Sequence, residues 1–124
     1  MMTLSAKAWN RLSADALSRF PEEACGILLG HGDLVLEAFP CRNAHPTDPR
    51  RYYELAPSDQ FECARYSRSS GLEWVAYYHS HPNGSSDFSP DDRRSALPGS
   101  RHLVVAVSQG HLLPPRAWRV PPKP

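Results

Sequence analysis

His79-Ser80-His81 sets two imidazoles two residues apart. On a strand, positions i and i+2 share a face, with Cα atoms about 6.5–7 Å apart. Rings leaning from such positions can each bring a nitrogen to the ~2.0–2.1 Å that zinc accepts. Taken alone, the pair also fits two satisfied or exposed histidines at a strand end. Ser89-Pro90-Asp91-Asp92 follows after a Gly-containing loop. Asp92, one turn into its helix, can offer a carboxylate oxygen as a third ligand. Two His and one Asp leave one of four tetrahedral positions to solvent, the catalytic rather than the structural pattern. Asp92 also reads as a helix-start acid favoured by the capping box and the dipole, and the two roles are compatible. Ser89 reads as an N-cap, or beside a metal as a hydrogen-bond donor to a developing oxyanion.

Hydrolysis at a metal also needs a group that takes a proton from water and hands it to the leaving amine. Glu22 and Glu23 stand at the mouth of the apolar run Ala24 to Leu29. A carboxylate entering a sheet beside buried residues is costly without a task or a partner. A surface acid at a helix–strand junction is the plainer account of either residue.

The elements that must carry these groups alternate between helix and strand. Ser5 can cap a first helix with Trp9, Leu12, Ala16, Leu17 and Phe20 at helical spacing, stopped by Pro21. Ala24–Leu29 and Leu34–Phe39 flank Gly30-His31-Gly32-Asp33, which reads as a β-hairpin. Residues 40–50, with three prolines, predict an irregular loop, and Tyr52–Leu55 a short strand. Pro57 to Ser70, closed by Gly71, reads as a second helix. Leu72–His79 is the most strand-like segment, followed by a polar loop from Pro82 to Phe88. Ser89 opens a short third helix, His102–Val107 forms a further strand, and Gly110 turns the chain toward Leu112-Leu113. Pro114 to Pro124, with five prolines, is expected to trail along the surface, with Trp118 as an anchor. Residues 1–124 therefore predict one mixed α/β domain without repeats.

Bulk composition narrows the partners. The 124 residues carry a formal net charge of +1, so no nucleic-acid or membrane surface is implied. Arg42, Arg50, Arg51, Arg93 and Arg94 read either as a dock for an acidic partner or as scattered solvated charges. Cys25, Cys41 and Cys63 include no C-x-x-C pair and are odd in number, which predicts reduced thiols in a cytoplasmic protein. The N-terminus lacks an apolar signal-peptide region, and no run reaches the ~18–20 apolar residues of a spanning helix.

The string Pro21-Glu22-Glu23-Ala24-Cys25-Gly26 resembles the P-x-E-x-C-G entry of the JAMM (MPN-domain) metallopeptidases. His79-Ser80-His81-Pro82 and Ser89-Pro90-Asp91-Asp92 fit the H-S/T-H-x7-S-x2-D signature of that family. By this resemblance His79, His81 and Asp92 would bind one zinc ion, Glu23 would be general base and acid, and Ser89 would steady the oxyanion. The family pattern, not periodicity, selects Glu23 over Glu22. The resemblance implies a curved central β-sheet flanked by helices, related in outline to the cytidine deaminases. It also implies cleavage at the Gly-Gly tail of a ubiquitin-like, sulphur-carrier-type protein, in the manner of the small bacterial forms. An extended Gly-Gly tail can pair with a sheet edge. The extra acid Asp87 has no place in the signature. A non-catalytic MPN scaffold is the main alternative, and a phosphoesterase using manganese shares the ligand types. The H-x-E with P-C-x-x-C of a nucleobase deaminase and the H-E-x-x-H of other zinc proteases do not occur.

Overall fold

The computed structural model describes residues 1–123. In chain order the elements are β1 (Thr3–Leu4), α1 (Ala6–Arg19), β2 (Cys25–His31), β3 (Leu34–Cys41) and α2 (Pro57–Ser70). They continue with β4 (Glu73–His81), α3 (Pro90–Ser95), β5 (Arg101–Ser108), β6 (His111–Leu112) and β7 (Arg116–Arg119). All seven strands join one curled sheet in the order β1-β3-β2-β4-β5-β6, with β7 also paired to β5. The mixed α/β expectation holds: β2, β3 and β4 are antiparallel neighbours, and β4 and β5 run parallel.

The two faces of the sheet explain why β2 is a continuous apolar run. Leu28 points to one side, where it packs with Ala8 and Leu12 of α1 and with Val35, Tyr78 and Val105. Ile27 and Leu29 point to the other side, against Cys41 and the Cys63 of α2. A strand covered on both faces loses the period-two alternation of a half-exposed one. Ile27, Leu28 and Leu29 are each fully buried, and each such side chain contributes on the order of 1.5–3 kcal/mol.

Ser5 caps α1 through a hydrogen bond from the Ala8 N–H, as its position implied. The apolar stripe of that helix ends earlier than its sequence suggests. Leu17 and Phe20 remain exposed, whereas Asp15 is buried and accepts a 2.7 Å hydrogen bond from the Tyr78 hydroxyl. Arg19 approaches the same carboxylate at 3.3 Å.

Three sequence expectations are revised. Tyr52–Leu55 forms no strand and makes a single bridge between Leu55 and Asn43. The backbone of that segment is held instead by the Asn43 side chain, which accepts from the Glu54 N–H and donates to the Tyr52 carbonyl. The proline-rich end does not simply trail: Arg116–Arg119, between two Pro-Pro pairs, forms β7 and pairs with β5 from Arg101 to Val104. β4 continues two residues beyond the expected end, so both histidines lie on the strand.

Gly26 sits where β2 crosses the Tyr78 ring. A Cβ there would collide with that ring and lie 2.6 Å from the Phe39 carbonyl oxygen. Gly26→Ala is expected to cost about 1–3 kcal/mol by overpacking, read as a lowered urea midpoint with an unchanged slope.

Candidate metal centre

Three elements converge at one end of the sheet. β4 delivers His79 and His81 from the same face, α3 delivers Asp92 from its first turn, and the residues entering β2 deliver Glu23. All four side chains are buried: Glu23 4%, His79 0%, His81 6% and Asp92 6% exposed. Glu22 and Asp91, the acids next in sequence to two of them, point elsewhere. Glu22 is exposed, and Asp91 takes the Arg94 guanidinium on the surface of α3.

The donor atoms meet closely. His79 Nε2, His81 Nε2 and Asp92 Oδ2 form a triangle whose three edges are each 3.1 Å. Ligands at ~2.0–2.1 Å from a tetrahedral ion stand about 3.3–3.4 Å from one another. The triangle is thus close to one face of such a tetrahedron, with its fourth corner free for another ligand. Glu23 contributes an oxygen within 4.8 Å of both imidazole nitrogens. These residues fit a divalent metal ion.

Neighbouring groups fix each ring and carboxylate. His81 Nδ1 lies 2.9 Å from the Ser85 carbonyl, which can only accept, so Nδ1 carries a proton and the ring is held with Nε2 turned to the centre. Tyr53 stacks on His79 with centroids 4.4 Å apart. Ser89 and Asp92 form a reciprocal capping box, each side chain accepting the other's backbone N–H at 3.0 Å. The cap uses a lone pair of the Ser89 hydroxyl and leaves its proton available to a second acceptor.

Electrostatics separates the two carboxylates. Burial raises Glu23 from 4.5 to about 9, aided by repulsion from Asp92 and Asp48. Burial acts on Asp92 in the same sense, but hydrogen bonds from both imidazoles and the Ser89 amide outweigh it and hold this carboxyl well below the usual range. Burial also lowers His79, against the pull of Asp92. Glu23 Oε1 and His79 Nδ1 are buried without a hydrogen-bond partner among the described residues. A buried carboxyl with an unpartnered oxygen, placed within 4.8 Å of two imidazole nitrogens, suits a place where a cation would sit.

Ser80 and Asn43 were not legible as site residues in the sequence. Between the two histidines, Ser80 projects to the opposite face of β4, where its Oγ accepts the Ala24 N–H at 2.8 Å. Its own N–H donates to the Ala24 carbonyl at 2.9 Å. This double link clamps Glu23 next to the imidazoles. The Asn43 amide donates to the carbonyls of Glu23, Pro49 and Tyr52, and its oxygen accepts from His45 and Glu54. Asp87, unplaced by the sequence, pairs with Arg116 at 2.7 Å, while Trp118 donates to the Ser86 carbonyl. β7 therefore anchors the loop after His81.

Removing the Ser80 hydroxyl orphans a buried N–H, so Ser80→Ala is expected to lose about 1–3 kcal/mol and Ser80→Thr to recover most of it in denaturant titrations. Glu23 gives a pH signature in metal-free protein. Its folded pKa lies above its unfolded one, so burying the carboxylate lowers stability progressively from pH 4.5 to about 9. Unfolding midpoints of Glu23→Gln and the parent, measured with chelator, are expected to agree below that window and to diverge in favour of the variant across it.

Comparisons with known proteins agree with this geometry. The profile of prokaryotic homologues of the JAB domain matches residues 5–121. A desampylase of Haloferax volcanii is 37% identical over 89 residues, covering 69% of this chain and 63% of that protein. A probable TtuB-protein conjugate cleaving protease of Thermus thermophilus is 32% identical over 83 residues, covering 67% and 55%. The chain thus spans little more than half the length of these relatives. Among solved structures, a Desulfitobacterium hafniense protein superposes with TM-score 0.86 at 24% identity, covering 98% of this chain and 85% of that one. A JAB1/MPN domain protein of Archaeoglobus fulgidus superposes with TM-score 0.62 at 19% identity, covering 95% and 89%. These two likenesses speak for the fold. On the profile match and the desampylase identity, with the converging histidines and carboxylates as their structural counterpart, the chain belongs to the family of prokaryotic JAB-domain homologues.

Proposed function

We propose that the chain is a zinc-dependent peptidase that hydrolyses an amide or isopeptide bond at the C-terminal tail of a ubiquitin-like protein of the sulphur-carrier type. The observation that carries this reading is the 3.1 Å triangle of His79, His81 and Asp92 beside the buried, unpartnered Glu23 carboxyl. Two nitrogens and one carboxylate oxygen suit zinc, with one position left for solvent or substrate. The names of the two relatives, a desampylase and a conjugate-cleaving protease, support a protein-tail substrate. A scaffold without activity needs none of the four groups. Here all four are present, buried and convergent.

In this reading His79, His81 and Asp92 hold the ion. A zinc ion so placed supplies Lewis acidity toward the scissile carbonyl and acidifies water. Glu23 takes the proton of the attacking water and returns it to the leaving amine, and the second water proton follows, so hydrolysis yields a carboxylate and an ammonium group with no net proton left on the residue. A cation nearby stabilises its ionised form and brings its high pKa down toward the working range. The free proton of Ser89 points its hydrogen bond at the developing oxyanion. The Ser85 carbonyl and the Tyr53 ring keep the imidazoles in place. β4 is interior to the sheet, between β2 and β5, so it offers no free edge to an extended tail.

Zinc per chain and cleavage of a tail-extended ubiquitin-like protein from the same genome test the reading together. Glu23→Gln is expected to retain one zinc and lose about 10²–10⁴-fold in turnover, while His79→Ala and Asp92→Ala lose the metal. Parental turnover in Glu23→Gln would remove Glu23 from its role. Parent chain that binds no stoichiometric zinc would overturn the whole assignment.

A further inference from the structure

Of the five arginines that composition leaves as either a dock or solvated charge, the fold commits two to neighbours. Arg42 binds Asp59 and Ser58, and Arg94 binds Asp91. Arg50, Arg51 and Arg93 form no ion pair among the described residues, and all three line one open basin of about 750 Å³. Glu23, His81 and Ser89 line the same basin. Its other acids are occupied: Asp87 by Arg116 and Asp91 by Arg94. Arg51 and Arg93 lie over the rings of Tyr52 and Phe88, at 6.0 and 5.7 Å. Such stacking steadies a guanidinium while leaving its N–H fork free.

We propose that this basin is a subsite for a carboxylate carried on the amine side of the scissile bond, read by Arg50, Arg51 and Arg93. The assignment rests on the hydrolytic reading above. Glu23 must reach the leaving nitrogen to hand over its proton, and Glu23 opens onto this basin. The pocket beyond Tyr53, lined by Leu55, Tyr77 and Leu97, includes neither Glu23 nor a cationic side chain. The departing amine therefore enters a chamber whose uncommitted charged side chains, Glu23 itself aside, are cationic and carry planar donor forks suited to carboxylates. The preferred leaving group is an amino acid or peptide with its carboxylate close to the bond, in preference to a lysine side chain deep within a neutral surface. An acidic side chain near the leaving amine offers the same chemistry, and so does one on the acyl side, which the test separates.

Peptides ending Gly-Gly-Ala as the free acid and as the carboxamide are compared as substrates of the zinc-loaded chain. A third peptide keeps the carboxamide and carries Glu upstream of Gly-Gly. Binding of the same three to metal-free chain is measured by calorimetry at low and high salt. The free acid is expected to exceed the carboxamide roughly tenfold in kcat/KM and in affinity, with the advantage shrinking in salt. Arg50→Gln/Arg51→Gln should abolish that advantage and leave carboxamide cleavage unchanged. Equal handling of acid and carboxamide, or equal loss of both in the double variant, overturns the subsite even if hydrolysis is confirmed. An advantage for upstream Glu that disappears in the double variant places the carboxylate on the acyl side and overturns the assignment. If neither peptide is cleaved while the acid keeps its salt-sensitive, arginine-dependent binding, the hydrolytic reading fails and the anion site stands.

Discussion

The pairing of Ala24 with Ser80 is the constraint on which the centre depends. Two hydrogen bonds between these residues set the register of β2 against β4 at the point where the sheet ends. A slip of one residue would turn every side chain of β2 to the other face. Glu23 would then face α1, and Leu28 would leave its place beside Leu12. The apolar packing of Ile27, Leu28 and Leu29 against two different layers enforces the same register from the opposite direction. Core and chemistry are thus specified together.

The cost of the arrangement is concentrated at Glu23. Burial and two neighbouring carboxylates, Asp92 and Asp48, oppose its charge, and its Oε1 has no compensating donor among the described residues. Asp92 has the opposite fate at a similar depth because two imidazoles and an amide serve it. The two carboxylates of one cleft are thereby pushed in opposite directions, the division of labour that the proposed acid–base hydrolysis would need. A polypeptide tolerates an unsatisfied carboxyl of this kind where function requires it and the surrounding sheet is rigid.

The parts of this design carried by local chemistry could be read before folding. Ser89, Pro90 and Asp92 announce a helix start through cap, proline and N3 acid, and the structure contains the capping box. The Ser5 cap, the Gly71 closure of α2 and the hairpin around Gly32 are local in the same way. The distinction between Glu22 and Glu23 needed the family pattern, since both are acids at a junction and only the strand's entry angle buries one. Ser80 and Asn43 stayed silent because their partners lie far away in sequence or on backbone atoms that no side-chain pattern reveals. β7 was missed for a related reason. Four residues between proline pairs look like a loop until β5 offers an open edge. The Asp87–Arg116 pair joins residues 29 apart, and neither announces the other.

That last strand has a consequence for the order of biosynthesis. Chains emerge from the ribosome N-terminus first, so β2, β4 and α3 are available before Arg116 and Trp118. The loop after His81 therefore has its accepting groups, the Ser86 carbonyl and the Asp87 carboxylate, in the nascent chain well before the donors that anchor it. The Ser85 carbonyl that orients His81 belongs to this loop, and Trp118 both donates to Ser86 and stacks near Phe88. A nascent chain stalled before β7 would thus carry His79, His81 and Asp92 without the brace on the loop that orients the His81 ring.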